Sequence, residues 1–298
     1  MTVTAISDMP QSDRLARTSG FGLSAISAMF GLTIRQHLNG KRWMVLAGLF
    51  LLPVGLAILI RAVSPDVPHR LLEFLLAFMF IPQALLPLVA LVYASGIIQD
   101  EQEDQTLTYL LVRPLPKWSI YVVKLLGTLT TAVLLTSMFT ILTYIAVYIG
   151  SPEGAGSVVT RCLKAVGIHS LAVISYSCLF GLLSLFTRYT LIIGILYTAL
   201  VEGLLANLPF GIRLATVIYY TRLIAYRSLD FIVNVHGHTT NASANAWQLD
   251  VRNDPNLLEH PSLRSCLMIL AGASILLTFV GAAMCSRCEF RVKTPGGN

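Results

Sequence analysis

Residues Gly96 to Gly127 read GIIQDEQEDQTLTYLLVRPLPKWSIYVVKLLG, and this stretch decides the fold because it wedges a short charged segment between two long apolar runs. Gln99 to Gln105 is polar throughout and carries four carboxylates, Asp100, Glu101, Glu103 and Asp104. Leu107, Leu110 and Leu111 then recur at helical spacing until Pro114 and Pro116 end the helix. Lys117 and Trp118 mark the return to lipid, since basic and indole side chains favour the headgroup layer. This is the layout of a cytoplasmic coupling element. The same residues also fit a solvated loop with one helical turn.

Outward from this stretch the chain is apolar. Of 298 residues, 55% are hydrophobic and only 12% are charged, about half the charge of a soluble domain, and the mean hydropathy is +0.71. This composition reads as an integral membrane protein. The net charge of +6 does not point to nucleic acid, because the basic residues stand singly at the ends of apolar runs and never cluster with aromatics.

Crossing the hydrocarbon takes about 20 apolar residues, and the runs place six helices near Trp43 to Ile60, Leu72 to Ile98, Ile120 to Ile149, Ala165 to Phe186, Tyr189 to Leu208 and Leu263 to Cys285. Uninterrupted runs exclude a β-barrel, whose strands alternate. The fifth and fourth helices are separated only by Thr187-Arg188, which reads as a tight turn at a water interface. With the N-terminus inside, twelve of the 21 Lys and Arg fall in the cytoplasm and the short outer loops hold only Arg61, Arg70, Arg161 and Lys164. Both termini are therefore expected in the cytoplasm. The acidic segment is net negative, but acidic residues contribute little to orientation.

The expected organisation is a disordered tail over 1–20 and an interfacial helix over 21–42, with Leu23, Ile26, Phe30, Ile34 and Leu38 on one face. Five spans over 43–208 follow, with the coupling segment at 99–118; then come an external re-entrant or cap segment over 209–262 and the sixth span with a short tail over 263–298. Ile212 to Ile224 is too short to cross and suits a re-entrant helix. No signal peptide is visible in the first forty residues.

Few ionisable residues lie in the spans, and each costs about 2.5 to 3.5 kcal/mol at a helix centre. Glu202 stands out, with Gly203 beside it and Asn207 a little over one turn on. It either faces a pathway or gate, or fixes helix packing through hydrogen bonds. Lys124 and His169 are expected to snorkel toward the inner and outer interfaces. Pro82 and Pro87 kink the second span and offer it a hinge.

Weaker signals carry less. His236-Gly-His238 is an incomplete metal-ligand set, and Asn241-Ala-Ser243 is a formal glycosylation sequon. Cys285-Ser-Arg-Cys288 is a lone CxxC that reads as thiols in a reducing cytosol. The chain has no G-x-x-x-x-G-K-[ST] phosphate loop, so it is not expected to bind ATP in that manner itself. It also lacks HExxH and GxSxG, the reacting groups of an intramembrane enzyme. An ion-coupled transporter or channel is the alternative, opposed by the lack of an internal repeat and by a single buried carboxylate.

Glu101, Thr106, Leu107, Leu110, Leu111, Arg113 and Pro114 form an acidic start, a Thr-Leu step, a Leu pair and an Arg-Pro exit. Here the chain resembles the permease subunits of ABC-2 type exporters, and Glu202-Gly203-Leu204-Leu205 resembles their fifth span. The resemblance implies an all-α membrane bundle of six transmembrane helices, type V exporter-like, with an N-terminal interfacial helix. It further implies ATPase coupling through the seven residues above and no cofactor on this chain, with ATP and Mg on two cytoplasmic ABC ATPase subunits. A second permease copy, identical or related, would complete the complex, surrounded by membrane lipid and without nucleic acid. The external segment leaves room for an accessory protein. The expected location is the plasma membrane, the inner membrane in a bacterium.

Overall fold

Among the described residues, which in this computed structural model are 11–97, 116–187, 189–207, 211–235, 238–247 and 261–287, six helices are long and apolar enough to cross a membrane. They are α2 (Lys41–Val63), α3 (His69–Ala94), α4 (Lys117–Tyr148), α5 (Ala155–Phe186), α6 (Thr190–Asn207) and α9 (Leu263–Arg287). Helix α1 (Gln11–Asn39) precedes them. Between α6 and α9 come a 3-10 turn (Gly211–Ala215), helix α7 (Val217–Ser228), strands β1 (Ile232–Val235) and β2 (His238–Asn241), and the short helix α8 (Ala242–Trp247). The strands form one antiparallel hairpin, with Ile232 opposite Asn241 and Val235 opposite His238. Among the described residues the architecture is thus a helical bundle carrying one small β-hairpin.

Helices α3 and α5 form the centre: 61% and 56% of their apolar windows are buried, against 22% for α2, α6 and α9. Helix α5 packs on α4, α9, α7 and the second half of α3. Small residues let the backbones approach. A Cβ built on Gly281 of α9 would lie 2.6 Å from Cζ of Tyr121 on α4, whose ring is fully buried. Outward-facing side chains of α2, α6 and α9 are Leu, Ile, Val, Met and Phe, as a lipid-exposed rim requires.

Helix α3 is wound as a π-helix from Phe74 to Leu85 and returns to α-helix at Leu86. Pro82 lies inside the π segment and Pro87 opens the α-helical one. Pro82 has no N–H to give the carbonyl four residues back, so the wider winding falls where the α ladder is already broken. A second π turn, Thr198–Leu204, interrupts α6.

Several boundaries differ from those the sequence suggests. Helix α5 starts at Ala155, not near Ala165, which places Arg161 and Lys164 inside its first three turns. Helix α1 is already formed at Gln11, within the stretch expected to be disordered. Its buried contact residues are Met29 and Thr33, packed on α4 beside Ile120, Val123 and Gly127, while Leu38 stays exposed. Ile26 and Phe30 of the expected stripe pack partly buried against the same cluster, and Thr33 lies close on Gly127. Lys124 and His169 are buried and do not snorkel. His169 meets the Thr140 hydroxyl at 3.0 Å and packs on Phe78.

The contact at Gly281 yields a test. Gly281→Ala drives a methyl into the Tyr121 ring and is expected to cost about 1 to 3 kcal/mol, read as a lower thermal-unfolding midpoint in detergent. Gly272→Ala, which meets nothing within 4 Å, is expected to leave the midpoint unchanged. Equal midpoints for the two variants would show that α4 and α9 do not touch at this level.

Candidate functional site

Helix α7 begins inside the bundle, and its first amides have no intrahelical acceptor there. Thr216 occupies the cap position, but its hydroxyl donates back to the Arg213 carbonyl at 2.7 Å and caps nothing. The acceptor comes from α6 instead. Glu202, 1% exposed, receives the Val217 N–H on Oε1 and the Ile218 N–H on Oε2, each at 3.0 Å. Tyr197 donates its hydroxyl to Oε1 at 3.2 Å, and the buried Tyr176 hydroxyl lies beside the same carboxylate. A negative group at the positive end of a helix dipole is favourable, more so away from water.

The other end of α7 is matched by opposite charge. Lys164 donates to the Ser228 carbonyl at 3.0 Å, and Arg161 donates to the Asp230 carbonyl at 3.1 Å. Midway along, Arg222 donates to Asn207 Oδ1 at 2.9 Å and to Gln83 Oε1 at 3.3 Å. Asn207 is itself held by its amide donating to the Gly203 carbonyl. The structure thus brings the two pathway or gate candidates of α6, Glu202 and Asn207, into contact with one helix, α7. It also links them to Gln83, the neighbour of Pro82 in the π segment of α3. Arg222 stands in the middle of α7.

Glu73 was missed. It is 1% exposed and sits just before the π segment of α3. Arg161 reaches it from α5 through Nε (3.2 and 3.0 Å) and Nη2 (2.7 Å), while Tyr144 and Tyr148 of α4 donate at 2.5 and 2.6 Å. Arg161 also stands over the Phe231 ring, 5.7 Å from its centroid. Phe74, Phe231 and Trp247 pack together beside it, and Trp247 donates to the Met79 sulfur at 3.0 Å. The hairpin segment is thereby seated on α3. The described residues hold two buried carboxylates, so the single-carboxylate argument against ion coupling does not stand. A usable signal was present: Tyr144 and Tyr148 are spaced i, i+4 on one helix face, and a Glu heads the preceding span.

The coupling residues Glu101, Thr106, Leu107, Leu110, Leu111, Arg113 and Pro114 lie outside the described residues, as do the side chains of His236 and His238 and all of Cys288. Cys162, Cys178, Cys266 and Cys285 are not joined in disulfides. Among the described residues no group of three metal-ligating side chains comes together.

Two expectations follow. Glu202→Gln keeps one carbonyl oxygen and turns an amide toward the second N–H, leaving one buried donor unmade, at about 1 to 3 kcal/mol. Glu202→Ala loses both acceptors. Folded yield is expected to fall in the order wild type, Gln, Ala, and identical yields would remove Glu202 from the cap of α7. At the second centre, Glu73→Gln or Arg161→Met alone strands a buried partner at about 3 to 5 kcal/mol. The double variant is expected to lose clearly less than the sum of the two in unfolding measurements, whereas strict additivity would mean that the pair is not coupled.

A family model described as ABC-2 family transporter protein matches residues 40–203, from the start of α2 into the π turn of α6 that carries Glu202. No curated protein matches the chain. The family model covers more than half of the sequence and five of the six spans. The chain belongs to the ABC-2 transporter family, as a multi-pass membrane protein of the permease component.

Proposed function

We propose that this chain is the permease of an ATP-driven exporter, in which a separate ABC ATPase hydrolyses ATP with Mg and the chain converts the resulting movement into an opening across the membrane. Two permeases, identical or related, meet in the membrane above two ATPase subunits. The termini and the 98–115 segment face the cytoplasm, and the hairpin segment faces outside, where an accessory protein has room to bind. In a bacterium the membrane is the inner one.

The observation that carries this reading is the attachment of α7. Its middle is tied through Arg222 to Gln83, and its C-terminal end through Arg161 to Glu73. Both partners belong to α3, whose chain continues into the acidic segment that contains Leu107 and Leu110. A push on that segment moves α3, and α3 carries α7 with it as a rigid body. The π segment with Pro82 and Pro87 gives α3 a place to bend. Glu202 keeps the inner end of α7 on α6 while its outer end follows α3, so the helix acts as the gate.

An ion-coupled carrier is the second reading, favoured by the two buried carboxylates. Each is already satisfied, Glu73 by Arg161 and two tyrosines and Glu202 by the α7 amides.

Affinity purification of the tagged chain from its native membranes is expected to recover an ATPase subunit. Leu107→Asp or Leu110→Asp places a charge on a knob that has to fill an apolar groove, so the partner is expected to be lost while membrane insertion survives. Variants that retain the ATPase and full transport would sink the coupling role. Cysteine labels at the N-terminus and near Gln102 are expected to react only from the cytoplasmic side, and one near Asn245 only from outside. Transport that persists without ATP and stops when ion gradients are dissipated would favour the second reading.

A further inference from the structure

A groove of about 670 Å³ runs along the outer surface of the bundle between α4 and α9, with α5 as its floor. We propose that it binds one acyl chain of an anionic phospholipid, with the phosphate held at the end of the bundle where α9 finishes. The inference rests on the membrane-spanning fold alone and is independent of the exporter reading.

Three observations carry it. The first is shape: the groove is bounded on α4 from Trp118 to Leu129 and on α9 from Ser274 to Ser286. At 1.5 Å per residue these edges are about 16 and 18 Å long, which is the depth of one leaflet of a ~30 Å hydrocarbon core. The groove therefore begins at one interface and ends near the midplane, as a lipid tail does.

The second is chemistry. The polar atoms around the floor are already used: Ser274 meets Ser175 at 3.1 Å, and Thr278 donates to the Cys178 sulfur at 3.3 Å and to the Ser274 carbonyl at 2.8 Å. What remains toward the opening is hydrocarbon and small side chains, including Ala282 and Ala283. At Gly281 α9 comes close to α4, and the Tyr121 ring fills that contact, while the groove between the two helices stays open beside it. A flexible chain fills such a cleft better than the flat face of a second helix.

The third is charge. Ser286 is at the interfacial end of the groove, and the next residue is Arg287, exposed in the last turn of α9. A cation there meets the helix C-terminal dipole and can also hold a phosphate. Trp118 lines the same end and is half exposed, as an indole at the headgroup boundary should be.

Trp118 provides the readout. The full chain is placed in phosphatidylcholine nanodiscs containing a small fraction of phosphatidylglycerol brominated on its acyl chain, and the emission of Trp118→Phe is subtracted from that of the wild type. Quenching of Trp118 is expected to exceed that from brominated phosphatidylcholine at equal mole fraction by about fivefold, the preference one basic side chain gives at an interface. Ala282→Phe fills the groove and is expected to abolish the excess, with Ala283→Leu as the milder substitute should the first fail to fold. Arg287→Gln is expected to remove the preference for phosphatidylglycerol while leaving the quenching by both lipids above their bulk fraction. Quenching that follows bulk mole fraction in every variant means ordinary boundary lipid only and overturns the site. Equal excess for the two lipids overturns the anionic assignment, and quenching below the bulk value means that another chain covers the groove.

Discussion

A helix that starts away from water needs acceptors for its first amides, and in this protein the requirement is met by one carboxylate from a neighbouring span. Glu202 accepts both leading N–H groups of α7, while Lys164 donates to the Ser228 carbonyl at its last residue and Arg161 donates to the Asp230 carbonyl just beyond it. Without Glu202 the leading amides of α7 would be left unmet away from water, each costing several kcal/mol. The position of α7 then fixes Arg222 and, through it, Asn207 and Gln83. The electrostatic match is economical, because the acid sits at the positive helix end and the bases at the negative one.

The second buried acid is linked to the first by the same helix. Glu73 is neutralised by Arg161, whose Nη2 also donates to the Asp230 carbonyl of the segment that leaves α7. A buried ion pair of this kind contributes little net stability and much positional definition, since each partner is expensive when left alone. Here it defines where the hairpin and its aromatic cluster sit on α3. It does so beside a π-wound stretch whose helical ladder is already interrupted at Pro82. Rigid attachment and a deformable helix thus occur side by side.

The gross architecture was legible in the sequence because the bilayer imposes a length and a polarity that a linear scan can read. Six apolar runs separated by polar breaks gave six spans, and Pro82 and Pro87 marked the irregular helix. The run boundaries were less legible. A linear reading ends a span where charge begins, so it started α5 at Ala165; Arg161 lies two turns inside the helix because Glu73, almost ninety residues away in sequence, cancels its charge. Lys124 and His169 were assigned to the interfaces for the same reason and are buried.

The sequence alone determined that the chain crosses a membrane six times as helices, and it singled out Glu202 as an acid that had to be accounted for, because a charge in hydrocarbon has a cost whatever surrounds it. Only the tertiary structure decided what that acid does. Its partners are backbone amides, which every residue possesses and no sequence pattern can flag, and they stand fifteen and sixteen residues away across a turn. Glu73 and Arg161 could be recognised as a pair only once α3, α4 and α5 were packed, because hydrogen bonds of under 3 Å between distant spans depend on how the helices are rotated against one another.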